Sequence, residues 1–358
     1  MNSRPKALVV LSPAWPAQES ETSWVTTQQL FVRTLQQAYP DLRIVILTFY
    51  YPYRLSAYRW NGIDVHSLDG MRNRKWRRPF FYWSVWRKLH RIRRENDVIG
   101  LMSFWCGECA LAGHYFGRWN GIPHHCWLCG QDARAGNRIL SLMRPRSSEL
   151  VAMSDFLRRE FERNHGIRPE HMIPNGIDPA MFVMGPEGRR DIDVLGAGSL
   201  SPLKRYDLFV EVVRRLKEDV PDIHVRHCGS GTEEEYIRAL ILEYGMEENA
   251  LLLGEQRHQD VLSLMQRTKV FLHPSSYEGF GVVCLEALYA GAQVISFSKP
   301  LDQDIPGWHI VENVEQMSAK ALAILSRPQV YQPRLIYTME DSVYAMMRLF
   351  KIYPGPQN

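Results

Sequence analysis

Short runs of β-branched and apolar residues alternate with amphipathic stretches along nearly all of this 358-residue chain, and that alternation limits the folds open to it. The apolar runs fall at 7–11, 44–48, 98–103, 124–129 and 150–153, then at 193–196, 224–228, 251–253, 270–273 and 293–297. Between them, residues 25–38, 156–164, 208–218, 259–268 and 282–290 repeat their apolar positions with the helical period. Strand, helix, strand repeated in this way predicts parallel sheets joined by crossover helices. At roughly 100–200 residues per domain, two sheets of about five strands suit the length better than one of ten. Residues 166–190 carry Pro169, Pro174, Gly176, Pro179, Gly185, Pro186 and Gly188, which predicts the connection between two domains there.

Composition narrows the class. Hydrophobic residues make up 45% and charged residues 23%, too apolar for a disordered chain. With 43 basic and 39 acidic residues the net charge is only +4, so the chain as a whole is not a polycation. No apolar run approaches the ~20 residues of a membrane-spanning helix, and 7–11 is too short for a signal-peptide core. Six cysteines in a chain of this length suggest reduced thiols in a cytoplasmic protein.

Four loops that follow predicted strands carry candidate chemistry in the second half. Gly196-Ala-Gly198-Ser199-Leu200 precedes Lys204, and Cys228-Gly229-Ser-Gly231 follows the next strand. Small-residue turns from strand to helix can present N–H groups to an anion, though tight packing requires the same residues. Gly254-Glu-Gln-Arg257 stands where a loop could touch a base. The most specific segment is Pro274-Ser-Ser-Tyr-Glu278-Gly279-Phe280-Gly281-Val-Val-Cys-Leu-Glu286. It sets Glu278 in a loop and Glu286 inside the following helix among apolar neighbours. A glutamate buried in such company needs hydrogen-bond partners, and the vicinal hydroxyls of a sugar or ribose would supply them.

From 154 to 297 the chain resembles the retaining GT-B glycosyltransferases of family 4, whose paired glutamates match Glu278 and Glu286. The resemblance implies two Rossmann-like domains facing a cleft: an acceptor domain at 1–174, completed by a returning C-terminal helix at 335–358, and a donor domain at 175–334. It implies retaining, metal-independent transfer from a nucleotide-diphosphate sugar to a glycan or lipid-linked acceptor, with no cofactor. Glu278 would contact the donor sugar, Glu286 the ribose, and Lys204 the diphosphate, aided by the N–H groups of Phe280 and Gly281. Gly198, Ser199, Gly229, Gly231, Arg257 and Gly279 complete the expected donor set. Ser199 stands where the family carries an arginine, leaving Lys204 as the clear cation. Other outcomes of the same donor site are epimerisation and phosphorolysis.

The first half departs from the family. The loop at 13–24 has no glycine pair, and Gln131 and Asp132 stand where a histidine usually faces the donor sugar. Asp132 is expected to take part in catalysis, and Gln131, Asp132, Arg134 and Asn137 to line the acceptor side or else cap their loop. Cys106-x-x-Cys109 and Cys126-x-x-Cys129 have zinc-ribbon spacing, but they fall on a predicted helix and strand, which favours buried thiols and no metal. Residues 72–94 hold ten Lys or Arg, six aromatic residues and no acid. That mixture suits an anionic membrane surface, and predicts a peripheral enzyme on the inner face of the cell membrane. Nucleic acid is the competing partner for the same composition, in a non-catalytic binding protein, and is not expected.

Overall fold

The computed structural model describes residues 4–21, 25–70, 78–183, 190–327 and 330–353. The chain divides into two compact units, Met1–Asn175 with Met339–Asn358, and Gly176–Thr338. The boundary falls inside the Pro- and Gly-rich segment; its residues 184–189 lie outside the described ones.

The first unit contains β1 (Lys6–Ala14), α1 (Thr26–Ala38), β2 (Arg43–Tyr51), β3 (Leu55–Trp60), β4 (Ile63–Leu68), α2 (Arg78–Glu95) and β5 (Asp97–Phe104). It continues through α3 (Glu108–Asn120), β6 (His124–Trp127), α4 (Arg138–Met143), β7 (Leu150–Ala152), α5 (Asp155–His165) and β8 (His171–Met172). These strands form one sheet in the order β3-β4-β2-β1-β5-β6-β7-β8, parallel except for β3 against β4. Ala7–Leu11 of the central β1 is withdrawn from water on both faces, as a continuous apolar run requires. The expected strands all form, while β3, β4 and β8 are additional. The β3–β4 hairpin turns on Asn61-Gly62, both with positive φ (47° and 78°), a strong hairpin signal that apolar runs alone do not carry. Helix α5 starts where the Ser154 hydroxyl accepts the Leu157 N–H at 3.0 Å and stops at the left-handed Gly166.

The second unit runs β9 (Ile192–Ala197), α6 (Tyr206–Asp219), β10 (Val225–Cys228), α7 (Glu234–Glu243), β11 (Ala250–Leu252) and α8 (His258–Gln266). Then follow β12 (Thr268–His273), α9 (Val282–Tyr289), β13 (Gln293–Ser296), β14 (Trp308–Ile310) and α10 (Val314–Leu325). Its sheet is wholly parallel, in the order β11-β10-β9-β12-β13-β14. Helix α6 buries Tyr206, Phe209, Val210, Val213 and Leu216 in the core beside this sheet. The strand order reverses direction about β9, so the carboxyl ends of β9 and β12 flank the position where open α/β sheets bind ligands.

The last helix, α11 (Met339–Leu349), belongs to the first unit and packs against α1. The Ser342 hydroxyl donates to the Pro174 carbonyl at 2.7 Å. Beyond α11, the Phe350 ring lies over Gly100 of β5 so closely that a β-carbon there would come 2.2 Å from it. Only glycine leaves room for that ring. Gly100→Ala should therefore lower stability by about 1–3 kcal/mol in urea denaturation, and less when combined with Phe350→Ala. An unchanged midpoint for the single variant would show that α11 is not held through this contact.

Candidate functional site

In the second unit the loops after β9, β10 and β11 are joined by their own backbones. Gly198 N–H donates to the Cys228 carbonyl at 2.9 Å, Leu200 N–H to Ser230 at 3.0 Å, and Gly229 N–H to Gly254 at 2.7 Å. A β-carbon on Gly229 would meet the Gly198 carbonyl at 2.0 Å, and one on Gly231 the Leu200 carbonyl at 2.2 Å. These two glycines are thus required for loops to touch loops, and packing accounts for the second glycine turn. Ser199 is exposed, its hydroxyl 3.4 Å from that of Ser201.

The segment after β9 is also tied to the loop after β12. The Leu203 carbonyl accepts the N–H and hydroxyl of Ser276, each at 3.1 Å, which brings Lys204 beside Glu278. Lys204 Nζ lies 2.5 Å from Glu278 Oε2, and the same oxygen accepts from His273 Nε2 at 3.1 Å. Burial pushes the Glu278 carboxyl up, but the His273 hydrogen bond and the Lys204 charge outweigh it and hold the group at about 2. Burial in turn holds the His273 imidazole below its ordinary value, so it donates Nε2–H as a neutral ring. Among the described residues, Glu278 Oε1 has no hydrogen-bond partner.

Helix α9 begins directly after this loop. Gly281 is its left-handed N-cap at φ 78°, and Phe280 is buried, with Tyr337 at 6.3 Å between ring centres. The first N–H groups of α9, together with Lys204, form a positive edge beside Glu278. One and a half turns on, Glu286 Oε1 accepts from His258 Nε2 at 2.7 Å. Burial pushes the His258 imidazole down, but Glu286 outweighs it and raises it above its ordinary value. Arg257 does not join them: its side chain is 83% exposed and forks onto Asp260 at 2.7 and 3.0 Å. The base-reading role expected for Arg257 is therefore not what its geometry serves. Its neighbour His258, the last residue of the loop 254–258 expected to help read the base, instead carries the contact to the second glutamate.

The residues expected on the acceptor side lie in the first unit and brace their own loop. The Asp132 carboxyl accepts the Cys129 N–H at 2.7 Å, with the Cys106 backbone beside it, and burial raises it to about 6. Asn137 caps α4 through the Ile139 N–H at 3.1 Å and donates to the Cys106 carbonyl at 2.9 Å. Asn164 holds the Ala133 carbonyl at 2.8 Å. Asp132 and Asn137 thus have the loop-capping role, and a catalytic part for Asp132 loses its basis because its carboxyl is spent on main-chain amides. Gln131 and Arg134 remain exposed at the same loop. Cys106, Cys109 and Cys126 are buried free thiols, and among the described residues no group of three or more His, Cys, Asp or Glu is placed to hold a metal ion. Of the basic stretch, 72–77 lie outside the described residues, and the rest forms α2.

The Glu278 shift has a sign that can be checked. Its ordinary value of 4.5 falls to about 2 on folding, so the unfolded chain takes up a proton the folded one refuses between those values. The stabilisation is present above about 4.5 and is lost as pH falls towards 2. The stability difference between wild type and Glu278→Gln should shrink by roughly 1 kcal/mol from pH 7 to pH 4 in urea denaturation. A constant difference would mean that Glu278 is not ionised against its neighbours.

Comparison with known proteins gives this geometry a family. The family model for glycosyl transferases group 1 matches residues 185–332, and that for Glycosyltransferase Family 4 matches residues 28–181. Over 279 residues the chain is 25% identical to the phosphatidylinositol N-acetylglucosaminyltransferase gpi3 subunit of Schizosaccharomyces pombe, covering 73% of this chain and 60% of that one. It is 26% identical over 225 residues to a human phosphatidylinositol N-acetylglucosaminyltransferase subunit, covering 62% and 43%. The chain therefore spans about half the length of these curated relatives. HepE of Anabaena, solved in complex with UDP and glucose, superposes with a TM-score of 0.65 over 97% of this chain and 95% of that one at 15% identity, and so shares the fold. The chain belongs to the family 4, GT-B glycosyltransferases.

Proposed function

We propose that this protein transfers a sugar from a nucleotide-diphosphate sugar to a glycan or lipid-linked acceptor, with retention of anomeric configuration. The observation that carries this reading is the ionised Glu278, paired with Lys204 and His273 beside the start of α9. Glu278 Oε1 would accept hydroxyls of the donor sugar and Glu286 Oε2 those of the ribose. Lys204 and the first N–H groups of α9 would meet the charge of the departing diphosphate. The bond from the anomeric carbon to the phosphate oxygen breaks, and the acceptor oxygen bonds to that carbon on the same face. Its proton passes to the leaving phosphate oxygen. No metal is required, because fixed dipoles and one ammonium supply the charge stabilisation. Two relatives named as phosphatidylinositol N-acetylglucosaminyltransferases support an N-acetylglucosaminyl donor and a lipid-borne acceptor. HepE, solved with UDP and glucose, makes UDP-sugars the first donors to test.

The described part of the basic stretch supports work at an anionic membrane on its cytoplasmic side. Helix α2 buries Phe81, Val85, Leu89 and Ile92 and turns Phe80 and Trp83 outward at 68% and 59% exposure. The Arg87 guanidinium lies 4.6 Å over the Trp83 ring. A groove of about 520 Å³ between α2 and the β3–β4 hairpin is lined by Arg87, Lys88, Arg91 and Arg94, and among the described residues no carboxylate lines it. Basic residues near an anionic surface contribute about 1 kcal/mol each, enough for several together to hold the protein there.

In a thermal-shift screen, a matching UDP- or GDP-sugar at a hundred times its Kd should stabilise wild type by about 2.7 kcal/mol and Lys204→Ala much less. Stabilisation that is equal in both would remove Lys204 from the donor site. Glu278→Ala should lower kcat at least ~100-fold, and EDTA should change turnover less than about twofold. Turnover lost to EDTA and restored by a divalent ion would contradict the metal-free reading. Arg87→Ser, Arg91→Ser and Arg94→Ser combined should release the protein from phosphatidylglycerol liposomes while sparing a soluble acceptor. Unchanged partitioning would leave α2 a solvated face.

A further inference from the structure

Each glutamate of the site has one oxygen held by a histidine, Glu278 with Lys204 on the same oxygen besides, and the sequence motif that pairs them does not include what holds them. In Glu278 one oxygen takes a histidine Nε2–H, from His273, and the other has no partner among the described residues. In Glu286 one oxygen takes a histidine Nε2–H, from His258 at 2.7 Å, and the other likewise has none. His258 is the first residue of α8, a different element from α9. From these contacts we infer that His258 is a positioning residue for the donor nucleotide: it fixes the Glu286 carboxylate so that its second oxygen is presented to the ribose hydroxyls.

Three features separate this from a chance ion pair at the surface. The side chains are only 21% and 14% exposed, so the contact is made where water competes weakly. His258 Nδ1 is buried with no partner among the described residues, so the ring's hydrogen bonding there is committed to Glu286. Nε2 carries its hydrogen in either protonation state that Glu286 permits, so the imidazole is a donor throughout. A carboxylate in an apolar helix such as α9 would otherwise choose among rotamers. A hydrogen bond to one oxygen fixes both the rotamer and the plane of the other, which is the pre-organisation that binding two vicinal hydroxyls requires.

The inference rests on the reading of Glu286 as the ribose carboxylate, and one set of binding measurements separates the two. Affinities of wild type, His258→Ala, His258→Gln and Glu286→Gln are measured by calorimetry for UDP, 2′-deoxy-UDP and 3′-deoxy-UDP, with GDP and its deoxy forms used if the guanine donor is the one bound. Glutamine places an amide N–H near the position of Nε2. Wild type should prefer the ribonucleotide, and His258→Ala should bind it about tenfold to hundredfold more weakly, the range expected for a lost hydrogen bond to a charged group. That variant should discriminate little between ribose and deoxyribose forms, while His258→Gln should recover most of both affinity and discrimination. In turnover, the loss should fall on KM and leave kcat within about threefold. If His258→Ala weakens all three nucleotides by the same factor, or leaves them unchanged, the positioning role is wrong. If wild type itself does not discriminate, or Glu286→Gln binds as wild type does, the ribose reading of Glu286 fails and the inference with it.

Discussion

A carboxylate that keeps its charge at 20% side-chain exposure needs fixed partners, and Glu278 has two on one oxygen. The surrounding architecture serves to bring those partners together. Lys204 arrives from the loop after β9, and His273 is the last residue of β12. Both reach Glu278 because β9 and β12 are parallel neighbours whose carboxyl ends lie side by side. The serine contacts to Leu203 tie the two loops, so the lysine does not sample the solvent freely. Removing Lys204 would leave the charge without a counter-ion and removing His273 would take away its hydrogen bond, the kind of losses that make broken buried pairs costly.

The same strand ends explain why glycines gather there without all being ligand contacts. Gly229 and Gly231 let neighbouring loops approach and exchange backbone hydrogen bonds at separations a side chain would forbid. That rigid edge lies on the β10 side of the charged cluster. Gly281 has another role: it starts α9 in the left-handed conformation and aims its first N–H groups beside Glu278. His258 then fixes Glu286 from α8, so each glutamate is held by an element other than its own helix or loop.

Much of this is legible in the sequence. The buried parallel strands read as apolar runs because they are covered on both faces, and the spacing of Glu278 and Glu286 reports itself through the apolar residues between them. The β3–β4 hairpin escapes that reading because its strands expose alternate residues, and only Asn61-Gly62 marks it. His258 and His273 escape it for a different reason. His273 ends a strand, where a histidine is usually a core residue, His258 opens a helix, and nothing in the spacing says that either Nε2 meets a glutamate 5 or 28 positions away. Asp132 and Asn137 mislead because a polar loop after a buried strand looks the same whether it binds a ligand or braces itself. Asp132 turns inward to the Cys129 amide, a choice of rotamer that sequence does not encode locally.

The most direct test is a crystal structure of the protein with the nucleotide-diphosphate sugar that stabilises it. The diphosphate should lie within hydrogen-bond distance of Lys204 Nζ and the first N–H groups of α9. The ribose hydroxyls should lie on Glu286 Oε2, and the sugar hydroxyls on Glu278 Oε1. A nucleotide bound elsewhere, or one that leaves the Lys204–Glu278 edge untouched, would contradict this assignment of the donor site.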